Sequence, residues 1–286
     1  MLDQTIKSAS TRHVYDLLPP DLCCAESIDV PSWAFLPDQW SIAFLRGLKE
    51  ASKNWSHKKV WEVGVGTGIN ILCLRGQVRN VTWYYSDVDD RCVPLANENL
   101  GVSVDGTATY QPLYGSWDLV CPPVGAQRPH VDIIFGCLPQ VPLHADLSLA
   151  DRHAHYYDPE AYRDSHLHVY GLGLNEALLT RAREVLRPKG KVILNLGGRP
   201  GREKLELLFK EAHYSSRVLH EAIVRQHSAT SLESLAHLEE EVSASFEFFT
   251  DKEAANCIGA IEAERRRLDE LPVYHKIYVF EGSLLP

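Results

Sequence analysis

The stretch Val60-Trp61-Glu62-Val63-Gly64-Val65-Gly66-Thr67-Gly68-Ile69-Asn70 runs a short apolar strand into three alternating glycines and then into a helical apolar pattern. Glycine at 64, 66 and 68 permits positive φ and lets backbone approach a ligand with no Cβ in the way. The helix that follows offers unpaired N–H groups in its first turn. A dinucleotide-binding loop, Gly-x-Gly-x-x-Gly, sets its last glycine three residues on, so that a pyrophosphate meets the helix end. Here the spacing is Gly-x-Gly-x-Gly, and Glu62 precedes it. A carboxylate at that point repels a pyrophosphate and suits a ligand with a cationic amino-acid end. A plain strand-to-helix turn fits the glycines equally well, so the surrounding elements have to decide.

Those elements alternate. Val81 to Tyr85 reads as a β-branched and aromatic strand ending at Ser86-Asp87. A helix follows from about Arg91 to Leu100, a third strand from Thr107 to Leu113, and a fourth from Val131 to Phe135. Asn175 to Leu186 reads as a helix stopped by Arg187-Pro188-Lys189-Gly190, ahead of a fifth strand, Lys191 to Asn195. An amphipathic helix from Glu203 to Ala212 and strands at Ser216 to Val224 and Val273 to Phe280 complete the series. Strands alternating with helices predict an α/β fold with a mostly parallel sheet. The division expected is a cap region over 1–50 and one main domain over 51–286, with insertions at 140–170 and 225–272. Ligands of such sheets bind outside the carboxyl ends of the strands, where long insertions cover them.

Composition narrows the partners. The 286 residues are 45% hydrophobic, enough to bury a substantial core. The chain has no apolar run of the ~18 residues that a membrane span needs, and no apolar leader at Met1 to Pro20. A cytoplasmic protein without membrane contact is expected. Seven cysteines in no Cys-x-x-Cys spacing argue against a disulfide framework and a zinc site. A net charge of -9 disfavours nucleic acid, whose binding needs clustered Lys and Arg. A small molecule is the expected partner, no metal is expected, and homo-oligomerisation is left open.

Other positions fit a nucleoside site. Asp87 ends the second strand about twenty residues after the glycine loop, where a carboxylate accepts ribose hydroxyls. Asp89 and Asp90 beside it read as helix caps. Gly115-Ser116-Trp117-Asp118, after the third strand, are placed to meet a base. The first insertion carries His144, His153, His155, Tyr156, Tyr157, Tyr162, His166, His168 and Tyr170. It reads either as a solvated lid or as a cap whose aromatic faces suit a sulfonium cation.

With Glu62 ahead of it, the glycine loop resembles the first motif of class I S-adenosylmethionine-dependent methyltransferases. In the members acting on amides or adenine, Asn-Pro-Pro-Tyr after the fourth strand holds the amino group; here the stretch reads Cys137-Leu138-Pro139-Gln140. A thioether acceptor needs no such hold, since its sulfur carries no proton and attacks directly, governed by proximity and orientation. Further motifs follow in order: Ser32 to Ser41, Gly136 to Gln140, Tyr170-Gly171-Leu172-Gly173-Leu174, Asn195-Leu196-Gly197-Gly198-Arg199-Pro200-Gly201 and Phe246 to Phe249. Together they resemble the methyltransferase domain of methionine S-methyltransferases. Residues 142–169 match that pattern poorly.

The resemblance implies a Rossmann-like class I methyltransferase fold, seven strands in the order 3-2-1-4-5-7-6 with helices on both faces, and S-adenosylmethionine as methyl donor. It implies that methionine becomes S-methylmethionine. Cofactor contacts are expected from Trp40, Glu62, Gly64, Gly66, Gly68, Asp87, Val88, Ser116, Trp117 and Gly136, although Trp40 reads equally as a packing aromatic. Substrate contacts are expected from Tyr156, Tyr157, Tyr170, Asn195 and Arg199. Cys137, Pro139 and Arg199 are expected to position the reactants with no general base. A guanidinium at 199 can pair with a carboxylate or serve as a turn arginine. Another thioether or amine methyltransferase and a non-catalytic S-adenosylmethionine-binding protein remain as alternative readings.

Overall fold

A computed structural model describes residues 10–22, 27–101, 109–142 and 165–285. The chain divides into two compact units, Met1–Gly136 and Cys137–Pro286.

Unit 1 opens with an antiparallel pair, β1 (Ser10–His13) and β2 (Ser27–Val30). Helix α1 (Gln39–Ser52) follows, its start fixed by a capping box in which Asp38 accepts from the Trp40 and Ser41 amides. Four parallel strands then form the order β6-β3-β4-β5: β3 (Lys59–Val63), β4 (Thr82–Asp87), β5 (Thr109–Ser116) and β6 (Val131–Gly136). β3 lies between β4 and β6, is buried from Val60 onward, and reads as the near-continuous apolar run that a parallel strand covered on both faces requires. Helices α2 (Ile69–Arg75) and α3 (Cys92–Leu100) connect these strands. Aromatic side chains dominate the packing: Trp55 stacks on Phe135 at 5.7 Å and meets Trp83 edge-on at 6.0 Å.

Among the described residues of unit 2, the first regular elements are a 3-10 turn, His166–Tyr170, and α4 (Gly173–Ala182). Its centre is antiparallel. β11 (Tyr274–Leu284) lies between β7 (Leu186–Gly197) and β8 (Tyr214–Arg225), with α5 (Arg202–Glu211) joining the latter two. The interval 226–273 is ordered, with α6 (Glu233–Val242), the short strands β9 (Phe248–Phe249) and β10 (Cys257–Ile258), and α7 (Ala260–Leu268). Leu232, Leu235, Leu238, Phe246, Phe248 and Val273 give it a local core. β9 meets β11 at Tyr274.

Unit 1 thus supplies the block 3-2-1-4 and unit 2 the block 5-7-6 of the expected order. The fold is α/β and Rossmann-like, of the class I methyltransferase type, with the antiparallel last strand that separates this type from dinucleotide-binding domains. Beyond the seven strands expected, the described residues add β1, β2, β9 and β10. Three boundaries are corrected. The helix read over Asn175 to Leu186 starts at Gly173 and stops at Ala182. Arg187 to Gly190, read as its stop signal, already belongs to β7, where Lys189 has φ +65° and a Cβ on Gly190 would stand 2.8 Å from the Arg187 carbonyl oxygen. β5 runs to Ser116, beyond the Leu113 expected, because an irregularity after Tyr85 in β4 brings Asp87 opposite Ser116.

Candidate functional site

In unit 1 the glycine loop leaves the carboxyl end of β3 with φ of 77°, 52° and 79° at Gly64, Gly66 and Gly68, values that L side chains rarely adopt. At Gly68 a second reason applies: an added Cβ would lie 3.1 Å from the Ala96 Cβ of α3. The loop's own amides are largely committed. Gly64 and Val65 donate to the Ser86 carbonyl, Gly68 to the Val65 carbonyl, and Gly66 to the Asp87 carboxylate at 3.0 Å. The loop therefore presents shape more than free N–H groups.

Glu62 lies beneath this loop and is buried. Asn70, in the first turn of α2, donates to one oxygen at 2.7 Å, while Oε2 has no partner among the described residues. Burial, with some repulsion from Asp87, pushes the carboxyl up to about 8. An acid in that state is neutral at pH 7 and ionises when a cation arrives. Asp87 accepts from the amides of Gly66 and Asp89, and burial raises its pKa as well. These two backbone donors and the Cys92 thiol take most of the acceptor sites of a carboxylate, and what remains can take a hydroxyl. Asp89 binds Arg91 through both oxygens, and the Arg91 guanidinium lies 4.3 Å from the centre of the Trp33 ring.

The remaining unit 1 positions differ in setting. Val88 is exposed, and its carbonyl accepts from the Ser116 hydroxyl. Trp117 is buried, edge-on to Trp61 at 5.3 Å, with its indole N–H given to the Tyr114 carbonyl. Trp40 is half-buried in the first turn of α1, and Gly136 closes β6.

Unit 2 brings together motifs that are far apart in sequence. The Gln140 carboxamide spans both backbone groups of Gly197, accepting from its N–H at 2.9 Å and donating to its carbonyl at 3.2 Å. Asn195 donates to the Cys137 sulfur at 3.3 Å. Gly171, at φ +75°, packs on the backbone of Gln140 and Val141, where a Cβ would come within 2.8 Å. Tyr170 meets Phe246 edge-on at 5.7 Å and has the Lys204 ammonium 5.6 Å from its ring centre. Cys137 is exposed and Pro139 half-buried. Arg199 follows β7 in a turn closed by the Gly201 N–H on the Gly198 carbonyl and tied outward by Gly198 N–H to the Lys276 carbonyl and Glu247 N–H to the Arg199 carbonyl. Its guanidinium donates to Gln226 at 3.1 Å, and burial lowers it to about 10. His275 is held well below its ordinary value by burial and the nearby Arg199 charge, and so stays neutral.

Tyr156 and Tyr157, like His144, His153, His155 and Tyr162, lie outside the described residues. His168 is buried, and His166 faces Glu211 at 3.4 Å. Asn70, Asn99, Gln140 and Gln226 acquire roles that sequence reading did not give them. Asn70 carried a faint signal, as a weak helix former in the first turn after the loop.

No protein-family model matches the chain. Over 250 residues it is 26% identical to the methionine S-methyltransferase of Zea mays, covering 78% of this chain and 22% of that protein. The likeness is to one part of a much longer plant enzyme. The enzyme of Wollastonia biflora is likewise 26% identical, over 251 residues, covering 77% of this chain and 22% of its own length. The chain therefore spans about a fifth of the curated relatives it matches. Among solved structures, it is similar to the YcgJ protein of Bacillus subtilis (12% identity, TM-score 0.45, 85% of this chain and 98% of that one). It is also similar to precorrin-6y C5,15-methyltransferase of Geobacter metallireducens (12% identity, TM-score 0.40, 83% and 86%). These structural likenesses add nothing to the topology described above.

Proposed function

We propose that the chain is an S-adenosylmethionine-dependent methyltransferase that methylates the thioether sulfur of L-methionine, giving S-methyl-L-methionine and S-adenosylhomocysteine. The observation that carries the choice of acceptor is the state of the segment after β6. Its one carboxamide, Gln140, already commits one acceptor site and one N–H to the backbone of Gly197, which ties it to β7 and disfavours a second role as the hold for a planar amino group. An acceptor that needs no such hold fits this segment.

Glu62, with one oxygen unpartnered beneath the loop, fits the cationic amino group of the methyl donor. Asp87 fits a ribose hydroxyl. When bound, S-adenosylmethionine supplies an electrophilic methyl group on a sulfonium sulfur. Arg199, held by the neutral amide of Gln226, suits the acceptor's carboxylate. Asn195 and Cys137 order the backbone that follows β6. A thioether has no proton to lose, so none of these residues has to act as a base. Cap, main domain and insertions then divide the work as 1–50, 51–286, 140–170 and 225–272. The setting is the cytoplasm, with a small molecule and no nucleic acid as partner. The product feeds synthesis of dimethylsulfoniopropionate or a related sulfonium metabolite.

The test is incubation with S-adenosylmethionine and a panel of thioethers and amines, read by mass spectrometry. Methylation of methionine sulfur is expected, and Arg199→Ala should raise the methionine KM with donor affinity nearly unchanged. Methylation of amines alone would sink the choice of acceptor. Equal loss for both ligands in the variant would make Arg199 a residue that shapes its turn.

A further inference from the structure

Asn99, near the end of α3, uses its side chain as though it were the next rung of a sheet. Its Oδ1 accepts from the Asp29 N–H at 2.7 Å, and its Nδ2 donates to the Asp29 carbonyl at 3.0 Å. The same Nδ2 donates to the carbonyl of Thr67 at 3.0 Å. Asp29 belongs to β2 of the N-terminal hairpin, and Thr67 lies between the second and third glycines of the loop. One carboxamide therefore ties the hairpin to the glycine loop across 70 residues on one side and 32 on the other.

The loop has need of such a tie. Three of its residues carry no side chain, so little beyond backbone bonds fixes it against the conformational freedom of glycine. The Ser86 carbonyl of β4 holds Gly64 and Val65, and Asp87 holds Gly66. Asn99 is the side chain that fixes the following carbonyl. A second contact runs beside the first: Arg91, locked by Asp89 two residues after Asp87, stacks on Trp33 in the segment between the hairpin and α1. Trp33 keeps 37% of its surface exposed there.

We propose that Asn99 is a positioning residue for the methyl donor and that the N-terminal hairpin belongs to the cofactor-binding machinery. The carboxamide transmits the docked state of the hairpin to the glycine loop, so donor binding and hairpin docking reinforce each other. The inference rests on the cofactor assignment made above.

Calorimetry with S-adenosylhomocysteine on the full chain tests it. Asn99→Ala removes all three bonds, and Asn99→Asp keeps the acceptor but loses both donations; each should weaken binding about tenfold or more, since a few hydrogen bonds are at stake. The KM for S-adenosylmethionine should rise alongside, while the KM for the acceptor and the turnover at saturation stay within about twofold. A folded variant that binds normally, or one that loses affinity for both substrates alike, overturns the proposal. Hydrogen exchange on the unaltered protein gives a readout independent of whether the variants fold. S-adenosylhomocysteine should slow exchange at Asp29 along with Gly66, and unchanged protection over residues 27–30 would overturn the coupling. Failure of the unaltered protein to bind S-adenosylhomocysteine would overturn the cofactor assignment itself, an outcome distinct from the others.

Discussion

Binding of the methyl donor should expel a proton from Glu62. In the free protein its carboxyl sits at about 8, chiefly through burial and secondarily through Asp87, against the one favourable bond from Asn70. At pH 7 such a group is about 90% protonated. An ammonium group arriving at Oε2 favours the carboxylate, so complex formation releases close to one proton. The apparent affinity should accordingly rise about tenfold between pH 6 and pH 7. Calorimetry at pH 7 in two buffers with different ionisation enthalpies reads the proton directly, as a difference in observed heat. Glu62→Gln, which imitates the neutral acid, should bind more weakly and show no buffer dependence. Equal heats in both buffers for the unaltered protein would refute the reasoning. The same shift has a consequence for the free protein. The folded pKa lies above the unfolded one, so the contribution of this group to stability is complete below about 4.5 and declines as pH rises to about 8. Glu62→Gln should remove that decline in pH-dependent unfolding.

Asp87→Ala should weaken donor binding by about 1.5–3 kcal/mol, the scale of hydrogen bonds to a charged group, and unchanged affinity in calorimetry would remove Asp87 from the site. Gln140→Ala leaves the N–H and carbonyl of Gly197 without their partner and should cost roughly 1–3 kcal/mol of stability in thermal unfolding. Gln140→Glu, which cannot donate, should not restore it. Gly171→Ala combines left-handed backbone strain of about 1–2 kcal/mol with overpacking of about 1–3 kcal/mol against the backbone of Gln140 and Val141. A melting temperature unaltered by this change would mean that the close approach is not maintained in solution.

The glycine loop, Asp87 and the alternation of elements were legible because each rests on local rules: permissive backbone, a strand end, and the change of period from strand to helix. The order of strands was legible only through the resemblance, since nothing in the run Val273 to Phe280 announces that it enters between two earlier strands. Boundaries failed where backbone departs from regularity. Lys189 at positive φ lies within β7, and the irregularity between β4 and β5 moved the third strand's end. Trp117 illustrates another limit, because an aromatic beside a nucleoside site and an aromatic packed on Trp61 have the same hydropathy. Carboxamides were the least legible of all. Asn99 and Gln140 act on backbone groups more than 30 residues away, and neither position forms part of a periodic pattern.

The place of β11 bears on how this protein is made. Its eleven residues follow every other strand in the described chain yet stand in the middle of unit 2, with β7 on one side and β8 on the other. During synthesis, β7 and β8 must wait side by side as two unpaired edges until residue 284 has left the ribosome. Contacts of such long sequence separation form slowly, and exposed strand edges invite pairing with other chains in the meantime. Truncation ahead of Tyr274 would therefore take away the centre of this sheet, and its mark would be aggregation of the nascent product.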